Sequence, residues 1–173
     1  MAGATKSQVV VVGAGPYGLA VAAHLRDRRI DFRIFGRPLQ RWRSQMPIGM
    51  FLKSEGCASD LSDPGRYHTL ARYCNARDLP YGDYGHPVAL ETFLSYATAF
   101  QQELVPSVEE TMVEQVAVTP GGFELRLESG ETVRARQVVV ATGLADTEHV
   151  PVELMGLPSA VLSHSSALNV LSS

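Results

Sequence analysis

Apolar residues gather in two unbroken runs along this chain, with amphipathic and irregular sequence between them. The first run is the valine stretch Val9–Val12, and the second is Val138–Val140. Continuous β-branched runs predict strands buried on both faces of a parallel sheet. Val9–Val12 passes through "GAGPYG" into "LAVAAHL", so the pattern predicts strand, glycine turn and helix in that order. "IDFRIF", Ile30 to Phe35, predicts a second strand. A helix is predicted from Pro87 to Leu104, where Leu90, Phe93, Leu94, Ala97, Phe100 and Leu104 make one apolar face, and Pro106 ends it. Residues 112–136 read as short strands broken by turns: "MVEQVAV", the Pro120-Gly121-Gly122 turn, "FELRLES", and the Ser129-Gly130 turn that leads into "ETVRARQVVVATG". The expectation is an α/β fold: a parallel central sheet with helices, and a three-stranded β-meander laid over one sheet face. Residues 37–87 hold no sustained period and are rich in Pro, Gly, Asp, Ser and Tyr. So long an irregular stretch is expected to act as a lid or binding loop.

The turn after the first strand is Gly-x-Gly-x-x-Gly: Gly13, Gly15 and Gly18, with Ala14, Pro16 and Tyr17 between them. In a strand–turn–helix context each glycine has a mechanical role. Gly13 permits the tight turn, Gly15 lets a pyrophosphate approach the backbone, and Gly18 lets the helix pack closely on the strand. Pro16 suits the first helical turn, where its missing N–H costs nothing. The free N–H groups of that turn and the positive end of the helix dipole then face the phosphates. An acid that binds the adenosine ribose is expected about twenty residues on, at the end of the second strand. Gly36 and Arg37 stand there instead. Two readings stay open on these residues: Arg37 takes a 2′-phosphate and the site holds NADP, or a flavin dinucleotide is bound and its ribose is held by other groups. Ala141-Thr142-Gly143 ends the second apolar run, at the carboxyl edge where ligands bind in open α/β sheets.

Composition and charge remove several function classes. At 173 residues, 45% hydrophobic and 19% charged, the chain can bury one ordinary core. Its net charge of −3 gives no basic footprint for nucleic acid or an anionic membrane. Cys57 and Cys74 are too far apart for C-x-x-C and too few for a disulfide framework, so buried or inert thiols in a reducing cytosol are expected. Lys6 and the apolar residues after it resemble a signal peptide, but Gly13, Gly15, Pro16 and Gly18 interrupt the stretch. No segment approaches the roughly 20 apolar residues of a membrane span. A soluble, cytoplasmic protein is expected. His24, His68, His86, His149 and His164 do not cluster at metal-ligand spacing, and no metal site is expected. Asp60, Ser62, Asp63 and Gly65 resemble a calcium loop, but Ala71 stands where its closing Glu belongs. There is no G-x-S-x-G elbow, which sets hydrolase chemistry aside.

"GAGPYG", the strand–meander–strand block and "VVVATG", in this order, resemble the two-dinucleotide-binding-domain flavoproteins. That family includes flavin-containing monooxygenases, Baeyer–Villiger monooxygenases, ornithine and lysine N-hydroxylases and, more distantly, thioredoxin reductase. "FGRPLQRWRSQMPIGMFLKSEG" is similar to a segment of FAD/NAD(P)-dependent oxidoreductases in which Gly36 takes the usual acid position. The resemblance runs from Gln8 to His164. It implies a Rossmann-like domain whose first fingerprint, Gly13 to Gly18, binds the FAD pyrophosphate, with Ala141, Thr142 and Gly143 close to the cofactor. It also brings the stretch near Trp42 toward the flavin, where Trp42 either packs by the isoalloxazine or serves the core. Val113 is implied beside the adenine. Lys53 is either a charge near the flavin or a solvated lysine, and Ser54 is a candidate donor. No acidic ribose ligand is carried over, and no catalytic residue is assigned.

Family members continue into a second fingerprint for NAD(P)H, which this chain does not contain. The expectation is therefore an incomplete domain: residues 1–150 form the FAD-binding domain, and 151–173 link toward a missing NAD(P)H-binding domain. The resemblance implies a flavin-dependent, NAD(P)H-using oxidoreductase, monooxygenase-like, acting on a small-molecule substrate. This fragment is expected to be inactive alone and to retain FAD weakly. The alternatives are a naturally short flavin-binding protein or a non-catalytic dinucleotide-binding module. Oligomeric state is not assigned.

Overall fold

Val10 and Val11 have no exposed surface, because the strand that carries them runs through the middle of a six-stranded sheet. The computed structural model describes residues 5–144 and 149–162. The sheet has the order β3 (Val108–Glu109), β2 (Phe32–Phe35), β1 (Thr5–Val12), β6 (Thr132–Val140), β5 (Gly122–Leu127) and β4 (Val113–Thr119). The first four strands are mutually parallel, and β6, β5 and β4 pair antiparallel.

Side chains alternate across β1, and each face buries against a different layer. Val9 and Val11 join Ile34, Leu19 and Ala22 of α1 (Pro16–Asp27) and Phe93, Ala97 and Phe100 of α4 (Leu90–Leu104). Arg26 of α1 donates through Nη1 to the carbonyls of Glu103 and Leu104, at 2.9 and 2.8 Å. A cation thus closes the C-terminus of α4, where the free carbonyls and the dipole favour it. Tyr96, outside the apolar pattern read above, is as buried as its neighbours on α4.

Val10 and Val12 face the other way and share one apolar cluster with Phe35, Leu125, Leu127, Val133 and Ala135. The meander therefore closes over this face, but not as a separate layer. β6 is continuous: Thr132–Ala135 pair with β5, and the same strand pairs with β1 as far as Val12↔Val140. Arg136 and Gln137 interrupt the hydrophobic pattern between the meander and the Val138–Val140 run. The backbone ladder, indifferent to side chains, runs through them. Beyond Ala135, β6 pairs only with β1 among the described residues, and Val140 is 69% exposed.

Arg33 ties this half together. Nε and Nη2 grip both oxygens of Glu109 at 2.7 and 2.6 Å, and Nη1 reaches Glu131 at 2.7 Å and Thr5 Oγ1 at 2.8 Å. The guanidinium hydrogen bond, then that of Thr5, holds the Glu131 carboxyl below its ordinary range. Both carboxylate side chains are 37% exposed, so water screens part of the attraction. Arg33→Met is expected to cost about 1–2 kcal/mol in urea unfolding, well short of a fully buried pair. An unchanged midpoint would show the cluster to be ornamental.

Residues 37–87 are irregular but packed. They contain α2 (Gln40–Ser44), a 3₁₀ turn at Gly56–Ala58, and α3 (Leu70–Asn75). Leu52, Leu61, Leu70 and Cys74 enter the helix-side core, so part of this stretch is packed as scaffold. Contacts without sequence period hold it. Leu52 N–H donates to Val88 O at 2.8 Å, and Leu90 N–H donates to Met50 O at 2.9 Å. Tyr96 Oη accepts from Leu61 N–H at 2.9 Å and donates to His68 O at 2.7 Å. Asp60 accepts from Leu70 N–H at 2.6 Å, and Asp63 accepts from the N–H groups of Tyr67 and His68. The acids that resembled a calcium loop thus serve as backbone acceptors. Cys74 is buried, which pushes its thiol up, whereas Cys57 is exposed.

Asp63 gives the fold an acid-sensitive tie. Burial pushes its carboxyl up, but the two backbone donors and the His68 ring bring it below its ordinary value. A carboxyl depressed by folding stabilises the protein above its unfolded pKa, and that stabilisation disappears as pH falls through the folded value. Asp63→Asn is therefore expected to lower the urea midpoint at about pH 7 and to approach wild type below about pH 4. A constant gap across that range would contradict this account.

Candidate dinucleotide-binding site

Three strand ends converge where the glycine fingerprint lies. Gly13 N–H donates to Phe35 O at 2.8 Å, and Ala141 N–H donates to Val12 O at 2.7 Å. The loop leaving β1 is thereby stitched to the ends of β2 and β6. Leu39 N–H, at the start of α2, donates to Ala14 O at 3.1 Å, and Gly36 N–H donates to Glu109 O at 3.0 Å. Ala14 is buried within this arrangement.

The fingerprint glycines are not equivalent. Gly13 has φ +109°, and a Cβ there would lie 2.4 Å from Ala141 O. At Gly18 a Cβ would lie 1.9 Å from Gly13 O. Both positions are demanded by backbone packing. Among the described residues, a Cβ at Gly15 meets nothing within 4 Å. Internal contacts leave that position free.

The start of α1 suits an anion. Gly15 is the N-cap, no side chain caps the helix, Pro16 opens it, and the first turn holds no acid. The first intrahelical bond runs from Leu19 N–H to Gly15 O at 2.9 Å, so the N–H groups of Tyr17 and Gly18 have no acceptor in the helix. Donors, dipole and missing Cβ together fit a diphosphate. The Tyr17 side chain is 84% exposed and takes no part in packing the loop.

The other candidates fall at varying places. Gly36 is buried at φ +129° and a Cβ would lie 3.1 Å from Ala14 N, so this corner favours glycine over the acid usual there. Arg37 beside it is exposed. Thr142 and Gly143 lie exposed after β6, with Gly143 at φ +70°. Val113 opens β4 and packs against the cluster of Val12 and Phe35. Trp42 on α2 packs on Phe93, ring centroids 4.7 Å apart, and so is anchored in the helix-side core. Lys53 is exposed, and Ser54 Oγ is hydrogen-bonded to Ser59 Oγ at 2.8 Å. His164 lies outside the described residues. Leu39 and Arg41 were not singled out in the sequence. Leu39 acts through its backbone, and Arg41 has a buried Nη1 without a hydrogen-bond partner among the described residues. Nothing in the pattern separates Arg41 from Arg37 or Arg43.

Residues 10–145 match the FAD-NAD(P)-binding family. The chain belongs to that family. As an FAD-NAD(P)-binding protein it is 31% identical over 150 residues to the indole-3-pyruvate monooxygenase YUCCA1 of Oryza sativa subsp. japonica, covering 82% of this chain and 33% of that protein. The chain thus spans about a third of its curated relative. Cyclohexanone monooxygenase from Rhodococcus sp. Phi1, bound to NADP+, shares the fold with TM-score 0.67 at 20% identity, over 86% of this chain and 28% of that one. The bacillithiol disulfide reductase Bdr of Staphylococcus aureus does so with TM-score 0.62 at 18% identity, over 80% and 39%. The FAD-NAD(P)-binding fold therefore serves more than one redox chemistry, and the fold alone does not choose among them. No described helix is long and apolar enough to cross a membrane.

Proposed function

We propose that this chain is the FAD-binding portion of a flavin-dependent, NAD(P)H-using oxidoreductase of monooxygenase type, acting on a small organic substrate. The observation that carries the proposal is the open Cβ direction of Gly15 at a helix N-terminus free of acids and side-chain caps. The backbone from Ala14 to Gly18 would hold the diphosphate. Gly36 and Arg37 would border the ribose, Val113 the adenine, and Trp42 with Ala141, Thr142 and Gly143 the flavin side. FAD, when bound, supplies hydride acceptance and oxygen activation, while the protein contributes binding and orientation. The similarity to YUCCA1 supports the monooxygenase type. Residues 1–150 are proposed as the FAD domain, with the segment from 151 leading toward an NAD(P)H domain. The proposed compartment is the cytoplasm, in keeping with the unpaired Cys57 and Cys74.

The test is titration with FAD, NADP and NAD, followed by flavin and intrinsic fluorescence, then anaerobic addition of NADPH and, separately, NADH to the full-length flavoprotein. The proposal expects preference for FAD and bleaching of the flavin band. Binding without reduction by either nicotinamide cofactor would favour a non-catalytic module. Preference for NADP over FAD would restore Arg37 as a 2′-phosphate ligand.

A further inference from the structure

A cavity of about 380 Å³ lies between α2, α3 and α4, outside the fingerprint and the strand ends described above. Arg43 of α2, Tyr73 and Arg77 from α3 and just beyond it, and Ser95, Thr98 and Gln102 of α4 line it. Two guanidinium groups and three hydroxyls face this space, and among the described residues no carboxylate lines it. For a protein of net charge −3, that is a local reversal of sign.

Both arginines are held in place without being neutralised. Arg77 stacks over the Tyr73 ring, with Cζ 4.0 Å from the centroid. The Tyr73 hydroxyl is in turn hydrogen-bonded to Ser95 Oγ. Stacking fixes a guanidinium while leaving its N–H donors free. Arg43 donates from Nη2 to Thr98 Oγ1 at 2.7 Å, and the Thr98 hydroxyl in turn donates to Leu94 O at 2.6 Å. The other Arg43 donors remain available. Neither arginine forms an ion pair with a described residue.

We propose that this cavity is a second ligand site, for a small organic phosphate. Forked guanidinium donors on two elements match a tetrahedral dianion with several oxygens. Leu94 and Ala99, also in the lining, offer apolar surface for the rest of such a molecule. The volume lies in the range of small-ligand pockets and exceeds the need of a bare ion. Pre-positioned arginines reduce the ordering cost of binding.

Calorimetric titration at low ionic strength, in a buffer without competing anions, tests this with inorganic phosphate and phenyl phosphate as probes. Saturable one-to-one binding is expected, tighter for phenyl phosphate. Arg43→Gln with Arg77→Gln is expected to weaken it about tenfold or more, and Gly15→Val to leave it unchanged. Should the double variant melt early, Arg77→Gln alone, at an exposed position, must still weaken binding. Non-saturating heats, equal affinity in the arginine variants, or loss in Gly15→Val with retention in the arginine variants would each overturn the proposal. The last of these would place the anion at the start of α1 instead.

Discussion

Gly18→Ala is expected to destabilise the protein by about 3 kcal/mol, the upper part of the range for overpacking, although it adds a single methyl group to a helix. A Cβ at residue 18 would lie 1.9 Å from Gly13 O, 3.0 Å from Gly13 C and 3.5 Å from the Ala141 Cβ. Backbone atoms that are themselves fixed cannot give way as a flexible side chain would. Gly13 N–H is bonded to Phe35 O, and Ala141 N–H to Val12 O. α1 would therefore have to lift off β1, exposing Leu19 and Ala22, both now fully buried. Helix propensity pulls the other way, since Ala is better than Gly by about 1 kcal/mol, but the steric cost exceeds it. Position 18 isolates the contact better than Gly13, where φ +109° would add backbone strain to a clash with Ala141 O. The predicted loss corresponds to a melting temperature lower by about 6–12 °C for a domain of this size. A stabilised Gly18→Ala variant would mean that the closeness of α1 to β1 is not what this glycine provides.

The contrast between these glycines shows what could be read without coordinates. Val9–Val12, the fingerprint and the alternation in "FELRLES" carried strand, turn and meander, because buried faces impose a period on side chains. The helix of Leu90–Leu104 was legible for the same reason. Tyr96 was not, because its polar hydroxyl hides a buried ring whose partners, Leu61 and His68, lie far away in sequence. The stretch from Arg37 to Pro87 gave least, since backbone contacts such as Leu39 to Ala14 and Leu52 to Val88 leave no mark on side-chain pattern. At the candidate site, the spacing of glycines already separated Gly13 and Gly18, given to the turn and to helix packing, from Gly15, given to the phosphate, but not how tight the first two contacts are. Those distances depend on which backbone atoms, Ala141 O and Gly13 O, lie beyond each missing side chain.

Gly15→Val should reduce FAD affinity about a hundredfold or more, equivalent to about 2.7 kcal/mol, while leaving the fold intact. Among the described residues no atom lies within 4 Å of the Cβ direction, and φ −76° with ψ −178° is open to any residue. Stability should therefore change by less than about 1 kcal/mol. The isopropyl group would fill the approach to the N–H groups of Tyr17 and Gly18, and a charge-assisted bond to each contributes about 1.5–3 kcal/mol. Losing either accounts for much of the predicted drop. Gly15→Ala, with a smaller obstruction, should fall between Val and wild type, so affinity is expected to follow side-chain volume rather than the mere loss of glycine. Gly121→Val is the control: its Cβ also meets nothing within 4 Å, but it sits in the β4–β5 turn, away from the fingerprint, and should leave affinity unchanged. Flavin fluorescence titrations of the three variants beside wild type, with melting curves to establish folding, measure both quantities. If Gly15→Val is folded and binds FAD as wild type does, the diphosphate is held somewhere other than the start of α1.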